Sequence, residues 1–173
     1  CLPHLIAEAR CHEKMIDQGI IGALLHFVFV ELAKRGNKVV LLDGDLGLSN
    51  AQILLNARVE YSYGHVLSGQ KTLEEIMVQS EYGVTLVPGS SGSSALARLT
   101  RLQLLGLIHA LSALDDCDYL VVDTAAGISD NVTVLFGACD IKLLLIQEEI
   151  LIQSIVLSLF NIIFWICPME KGW

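Results

Sequence analysis

Four short, almost purely apolar runs recur along the chain, and each ends abruptly in a small polar loop. They are Lys38–Leu42 before Asp43-Gly44-Asp45, Gly83–Pro88 before Gly89-Ser90-Ser91-Gly92, Tyr119–Val122 before Asp123-Thr124-Ala125-Ala126-Gly127, and Ile141–Ile146 before Gln147-Glu148-Glu149. Runs of this length without polar alternation are the pattern of strands buried on both faces. Helix-length segments separate them. Gly22–Arg35 is one, with Lys34 and Arg35 in its last turn and Gly36 at the position after the end, where a left-handed residue is wanted. Ser49–Gln52, Thr72–Glu75 and Thr100–Gln103 match capping boxes that open helices. The second of these helices is expected to run to about Val78, and the third to bury Leu102, Leu105, Ile108 and Leu111 on one face. Ser129 caps a further helix reaching about Gly137. Strands alternating with helices predict a parallel α/β sheet covered on both faces, with ligands at the carboxyl edge of the strands.

Composition narrows the class. With 173 residues, 53% of them hydrophobic and 17% charged, the chain can bury a core as a single domain over 1–173, and disorder of the whole is excluded. Nineteen acidic and 11 basic side chains give a net charge of −8, so direct nucleic-acid binding is not expected. Cysteines at 1, 11, 117, 139 and 167 lack zinc-ligand spacing and suit reduced thiols of a cytoplasmic protein. Charged residues interrupt residues 1–18 too often for a signal peptide, and a first residue that is Cys rather than Met suggests a fragment or a processed product. Ile150–Cys167 carries no formal charge over 18 residues, the lower limit for a membrane-spanning helix, although Gln153, Ser154, Ser158 and Asn161 weaken that reading.

Asp43 and Asp45 stand one residue apart just past a buried strand. Two such carboxylates can serve one ligand, one on a metal's water shell and the other on an attacking water. Aspartates are also common in turns, and Asp-x-Asp alone decides little. Asp123 adds weight: an apolar strand ending in Asp is the Walker B pattern, whose carboxylate reaches Mg²⁺ directly or through water. The small residues that follow would let the backbone N–H of Gly127 approach a terminal phosphate. The five histidines are scattered; His26 and His109 fall in apolar helices and suit packing better than ligation. Gly89–Ser94 suits a flexible loop as well as a phosphate cradle.

The segments KRGNKVVLLDGDLGLSNAQILL, VLSGQKTLEEI, GVTLVPGSSG and DYLVVDTAAGISDNV resemble the MinD/ParA class of deviant P-loop ATPases. Within that class they are most similar to the regulators of flagellar number and placement, FlhG/FleN (YlxH-like proteins). The resemblance covers about residues 31–149 and implies a doubly wound, mostly parallel sheet of P-loop NTPase (SIMIBI) type. It also implies ATP and Mg²⁺ as cofactors, an ATP-dependent homodimer reset by hydrolysis, and flagellar or cell-pole regulatory proteins as partners. On this pattern Asp43 and Asp45 match the switch I carboxylates, the latter associated with the catalytic water. Asp123 matches the Walker B aspartate, Gly127 lies in switch II, Asn50 lies near the nucleotide, and Glu149 is at the dimer contact.

Two departures stand beside the likeness. The phosphate loop, of pattern KGGxGK[ST], should occupy about residues 14–22, where this chain has KMIDQGIIG; Ile21 and Gly22 replace the lysine and the hydroxyl residue. Without them the β- and γ-phosphates lose their main cation and Mg²⁺ loses a ligand, so ATPase activity should be impaired. After Glu149 the chain runs into an atypical apolar tail. The recognisable core is thus 22–149, with 1–21 and 150–173 atypical and the sheet expected to be incomplete at both ends, as a change of reading frame or a damaged gene would leave it. A sheet lacking its first strand would have a central gap. Alternatives are a catalytically silent interaction module and a protein anchored in the membrane by 150–167. Class members also touch membranes peripherally through a Lys-rich amphipathic helix, and no such segment is seen here.

Overall fold

The computed structural model describes residues 28–45, 51–89, 99–125, 127–147 and 160–168. The first described element is helix α1 (28–34), which closes on Gly36 in the left-handed region at φ +86°. There follow β1 (Val39–Gly44), α2 (Ala51–Leu54), α3 (Tyr63–Leu67), α4 (Leu73–Ile76), β2 (Val78–Gln79) and β3 (Val84–Val87). The second half comprises α5 (Arg101–Ser112), β4 (Tyr119–Thr124), α6 (Asp130–Ala138), β5 (Ile141–Gln147) and β6 (Phe160–Pro168).

The strands form one sheet in the order β2-β3-β1-β4-β6-β5. Its centre is parallel: β1 pairs with β3 through Val39↔Val84 to Leu42↔Val87, and with β4 through Val39↔Tyr119 to Gly44↔Thr124. Because β1 is apolar at every one of its first four positions, it has a face for each of two cores. Val40 and Leu42, with Val87, Leu120 and Val122, meet α3 to α6 through Tyr63, Leu73, Ile76, Leu104, Leu107, Leu111, Val132 and Leu135. Val39 and Leu41, with Val84, Leu86 and Val121, meet α1 and α2 through Val28, Phe29, Leu32, Ala51 and Leu55. This is the doubly wound arrangement expected. At the amino ends of the two central strands, the Lys38 N–H donates to Asp118 Oδ2 at 2.8 Å and the Asp118 N–H donates to Lys38 O at 2.8 Å. The Lys38 ammonium also pairs with Asp116.

Several local expectations hold. Thr72 and Glu75 form a reciprocal capping box (Thr72 N–H to Glu75 Oε2 2.8 Å, Glu75 N–H to Thr72 Oγ1 3.3 Å), as do Thr100 and Gln103. Ser129 caps α6 by accepting from the Val132 N–H at 3.4 Å. His109 is exposed rather than packed. His26 and most of the Gly89–Ser94 loop lie outside the described residues.

Three expectations are corrected. The helix opened by Thr72 stops at Ile76: Met77 is extended (φ −67°, ψ 130°), and Val78 pairs antiparallel with Leu86. Helix α5 buries Leu104, Leu107 and Leu111 instead of the stripe through Leu102 and Leu105, which are 80% and 42% exposed. Leucines lie on several sides of that helix, so periodicity allowed two stripes, and packing against β1 and β4 selects one. The uncharged tail is not a membrane helix over its second half. Phe160–Pro168 is a β-strand, antiparallel to β4 on one side and to β5 on the other, and so fills the expected gap. Among the described residues no helix is long and apolar enough to cross a membrane.

Candidate functional site

From β1 the chain moves on to β3 on one side, whereas from β4 it moves to β5 on the other. The β1/β4 boundary is therefore the point where the winding reverses, and the crevice beyond its carboxyl ends is where open α/β sheets bind ligands. Asp43 and Asp123 are register partners on these two strands, which places both carboxylates at that crevice. Asp43 is buried, at 1% exposure. Asp45 follows the strand, half-buried, and its N–H donates to Asp43 Oδ1 at 3.3 Å. Three of the residues singled out in the sequence thus come together.

The residue between the first two is fixed by its neighbour. A Cβ on Gly44 would lie 2.6 Å from the backbone oxygen of Asp123 and 3.1 Å from Leu135 Cδ1. Only glycine lets β1 carry its two aspartates while staying in register with β4. Tyr63 is the other member that the sequence did not reveal. It is 1% exposed, its N–H donates to Pro88 O at 3.1 Å, and with Leu42, Gly44 and Asn131 it lines a cavity of about 10 Å³, the size of one water. Burial raises the Tyr63 phenol, and the Asp43 and Asp45 charges raise it further, which keeps it neutral. Its only sequence mark is its position just after the cap residue Ser62.

The carboxyl of Asp123 is pushed up to about 7, first by burial and then by the charges of Asp43 and Asp45. Near neutrality it is therefore half protonated. A divalent cation beside Asp123 would favour its carboxylate form, and hard oxygen donors such as Asp43 and Asp123 suit Mg²⁺. Among the described residues no three His, Cys, Asp or Glu side chains form a cage of their own. Gly127, with φ +102°, turns the chain after β4, and Ile128 beside it is 83% exposed. Asn50, Glu149 and residues 14–22, where the phosphate loop is expected, lie outside the described residues.

No protein-family model matches the chain. Among curated proteins, it is 40% identical over 119 residues to the antiactivator FleN of Pseudomonas aeruginosa, covering 68% of this chain and 42% of FleN. It is 32% identical over 110 residues to the flagellum site-determining protein YlxH of Helicobacter pylori, covering 63% of this chain and 37% of YlxH. The chain thus spans less than half the length of these relatives. Among solved structures, the septum site-determining protein MinD of Pyrococcus horikoshii, complexed with Mg-ADP, superposes with a TM-score of 0.54 at 24% identity, over 63% of this chain and 45% of that one. The MinC:MinD complex of Aquifex aeolicus gives 0.53 at 24% identity, over 64% of this chain and 44% of that one. These two likenesses concern the fold. The sequence likeness to FleN and YlxH, carried on that fold, places this chain in the MinD/ParA class of P-loop ATPases as a relative of the FlhG/FleN regulators.

Proposed function

We propose that the chain is a MinD/ParA-like switch acting in the control of flagellar number or placement, with its output a change in dimerisation and partner binding. The observation that carries this reading is the in-register pair Asp43 and Asp123 at the reversal point of the sheet, with Asp45 bonded to the first. Asp43 and Asp123 hold Mg²⁺, directly or through water. Asp45 orients the water that attacks the terminal phosphate, and the N–H of Gly127 faces that phosphate. Mg·ATP, when bound, would supply the phosphoanhydride bond that water cleaves to give ADP and phosphate. Tyr63 keeps the floor of the site dry and neutral beneath the carboxylates. Asn50 is assigned to the nucleotide side and Glu149 to the contact with a second copy. The setting is cytoplasmic, in a single domain whose core is 22–149.

Turnover by this chain is impaired, because Ile21 and Gly22 stand where lysine and a hydroxyl residue serve the phosphates and the metal. Calorimetric titration with Mg·ATP and sedimentation with and without nucleotide test the reading. Weak, Mg²⁺-dependent binding is expected, lost in Asp43→Asn and Asp123→Asn. Hydrolysis should rise by at least ~100-fold in the double variant Ile21→Lys, Gly22→Ser, in line with the worth of such electrostatic groups. Tight Mg²⁺-dependent binding by the unaltered chain would overturn the impairment. The replacement at Ile21 also favours a second reading, a catalytically silent interaction module. Dimerisation identical with and without ATP is its signature.

A further inference from the structure

Strand β6 has a double peculiarity: it lies inside the sheet, and it runs against both neighbours. It is antiparallel to β4 from Tyr119↔Pro168 to Asp123↔Phe164, and antiparallel to β5 from Ile141↔Ile166 to Gln147↔Phe160. Among the described residues strand β5 pairs only with β6, which joins it to the sheet. The place that β6 occupies is one that the winding reserves for a strand of opposite direction. The crossovers from β3 to β4 and from β4 to β5 move toward the β5 edge and carry α5 and α6 on one face. Right-handed crossovers moving the other way carry their helix on the opposite face. Helix α1, which leads into β1, lies on that opposite face. A parallel strand leading into α1 therefore belongs on the β5 side of β1, and the interior place there is held by β6.

The register adds a second consequence. The last partner of β6 on β4 is Asp123, facing Phe164, but β6 continues through Phe160–Ile163, paired only with Leu144–Gln147. These four residue pairs stand out beyond Asp123 toward the carboxyl edge by roughly 13 Å, at about 3.3 Å per residue. Strands β5 and β6 together thus form a two-stranded ledge that runs past the level of Asp123.

We propose that β6 is an autoinhibitory strand. Seated between β4 and β5, it holds the place of a parallel strand, and its Phe160–Ile163 ledge bars a nucleotide phosphate from the Asp123 side of the site. The proposal rests on the nucleotide reading above.

The seat is tested in the full-length chain by Leu120→Cys. Position 120 is the register partner of Cys167, and directly opposed antiparallel residues lie within the Cα separation of a disulfide. Mild oxidation followed by peptide mapping should recover a 120–167 link within one chain. Its absence, or a link between two chains, overturns the seat. The obstruction is tested by titrating fluorescent ADP with Mg²⁺ against two proteins. One is the disulfide-locked chain. The other carries Phe160→Gly, Asn161→Ser, Ile162→Gly and Ile163→Ser, which dissolves the ledge and keeps the residues paired with β4. At least tenfold tighter binding by the second is expected. Equal binding by both overturns the obstruction and leaves the nucleotide reading standing. No binding by either, with the link formed, overturns both.

Discussion

At Asp123 the site and the stability of the fold are coupled through a proton. Its carboxyl rises from 3.8 to about 7 on folding, so between those values the native chain binds a proton that the unfolded chain has released. Stability from this group is fully present below about pH 4 and is lost as pH rises through 7. The gap corresponds to on the order of 4 kcal/mol. Urea unfolding of the wild type and Asp123→Asn at pH 5, 6, 7 and 8 should show the variant gaining on the wild type at each step up to about 7 and levelling beyond it. A difference that does not change with pH would contradict the coupling. Gly44 makes a steric prediction at the same place. Because the added Cβ would meet backbone rather than a movable side-chain tip, Gly44→Ala should cost about 1–3 kcal/mol in urea unfolding, typical of overpacking. The three aspartates were legible in the sequence because Asp43 and Asp123 end apolar runs and Asp45 follows the first of them by two residues. Gly44 appeared there only as part of a small polar loop, because its close approach to the Asp123 carbonyl depends on the β1–β4 register, which no local pattern encodes. Tyr63 was silent for the same reason: a burial partner 56 residues before the start of Asp123's strand leaves no local pattern.

Elements were read well where their ends are chemically marked. The Thr72, Thr100 and Ser129 caps and the Gly36 terminator fell where the residue types demanded, because these signals act within four residues. Faces were read less well. Helix α5 is the instructive failure, since leucines at 102, 104, 105, 107 and 111 permit more than one buried stripe and only the sheet decides between them. The observed choice is checked by paired truncations. Leu107→Ala should lose about 2–4 kcal/mol in chemical denaturation, while Leu102→Ala should change stability by less than about 0.5 kcal/mol. Similar losses at both positions would mean that the helix is rotated from the orientation described. Strand β6 escaped the sequence reading more completely. An uncharged run with scattered polar residues lacks a period that separates a strand from a helix, and what fixes it is a place between β4 and β5 that exists only once those strands are laid down.

Across the whole molecule, the doubly wound plan was foreseeable because every central strand is apolar on both faces and the helices alternate with them. Its strand order was not, because order depends on which loops cross which face. The order places the paired carboxylates at the winding reversal, and at the far end of the same two strands lies the Lys38 clasp. There the Lys38 N–H donates to the Asp118 carboxylate and the Asp118 N–H to Lys38 O, both at 2.8 Å, beside the pairing of the Lys38 ammonium with Asp116. This fastening sits six residues along β1 from the acidic pair's glycine, on the opposite rim. From that clasp the ladder climbs unbroken through six rungs, Val39↔Tyr119 to Gly44↔Thr124, so the gap between Asp43 and Asp123 is that of two strands tied along their whole shared length.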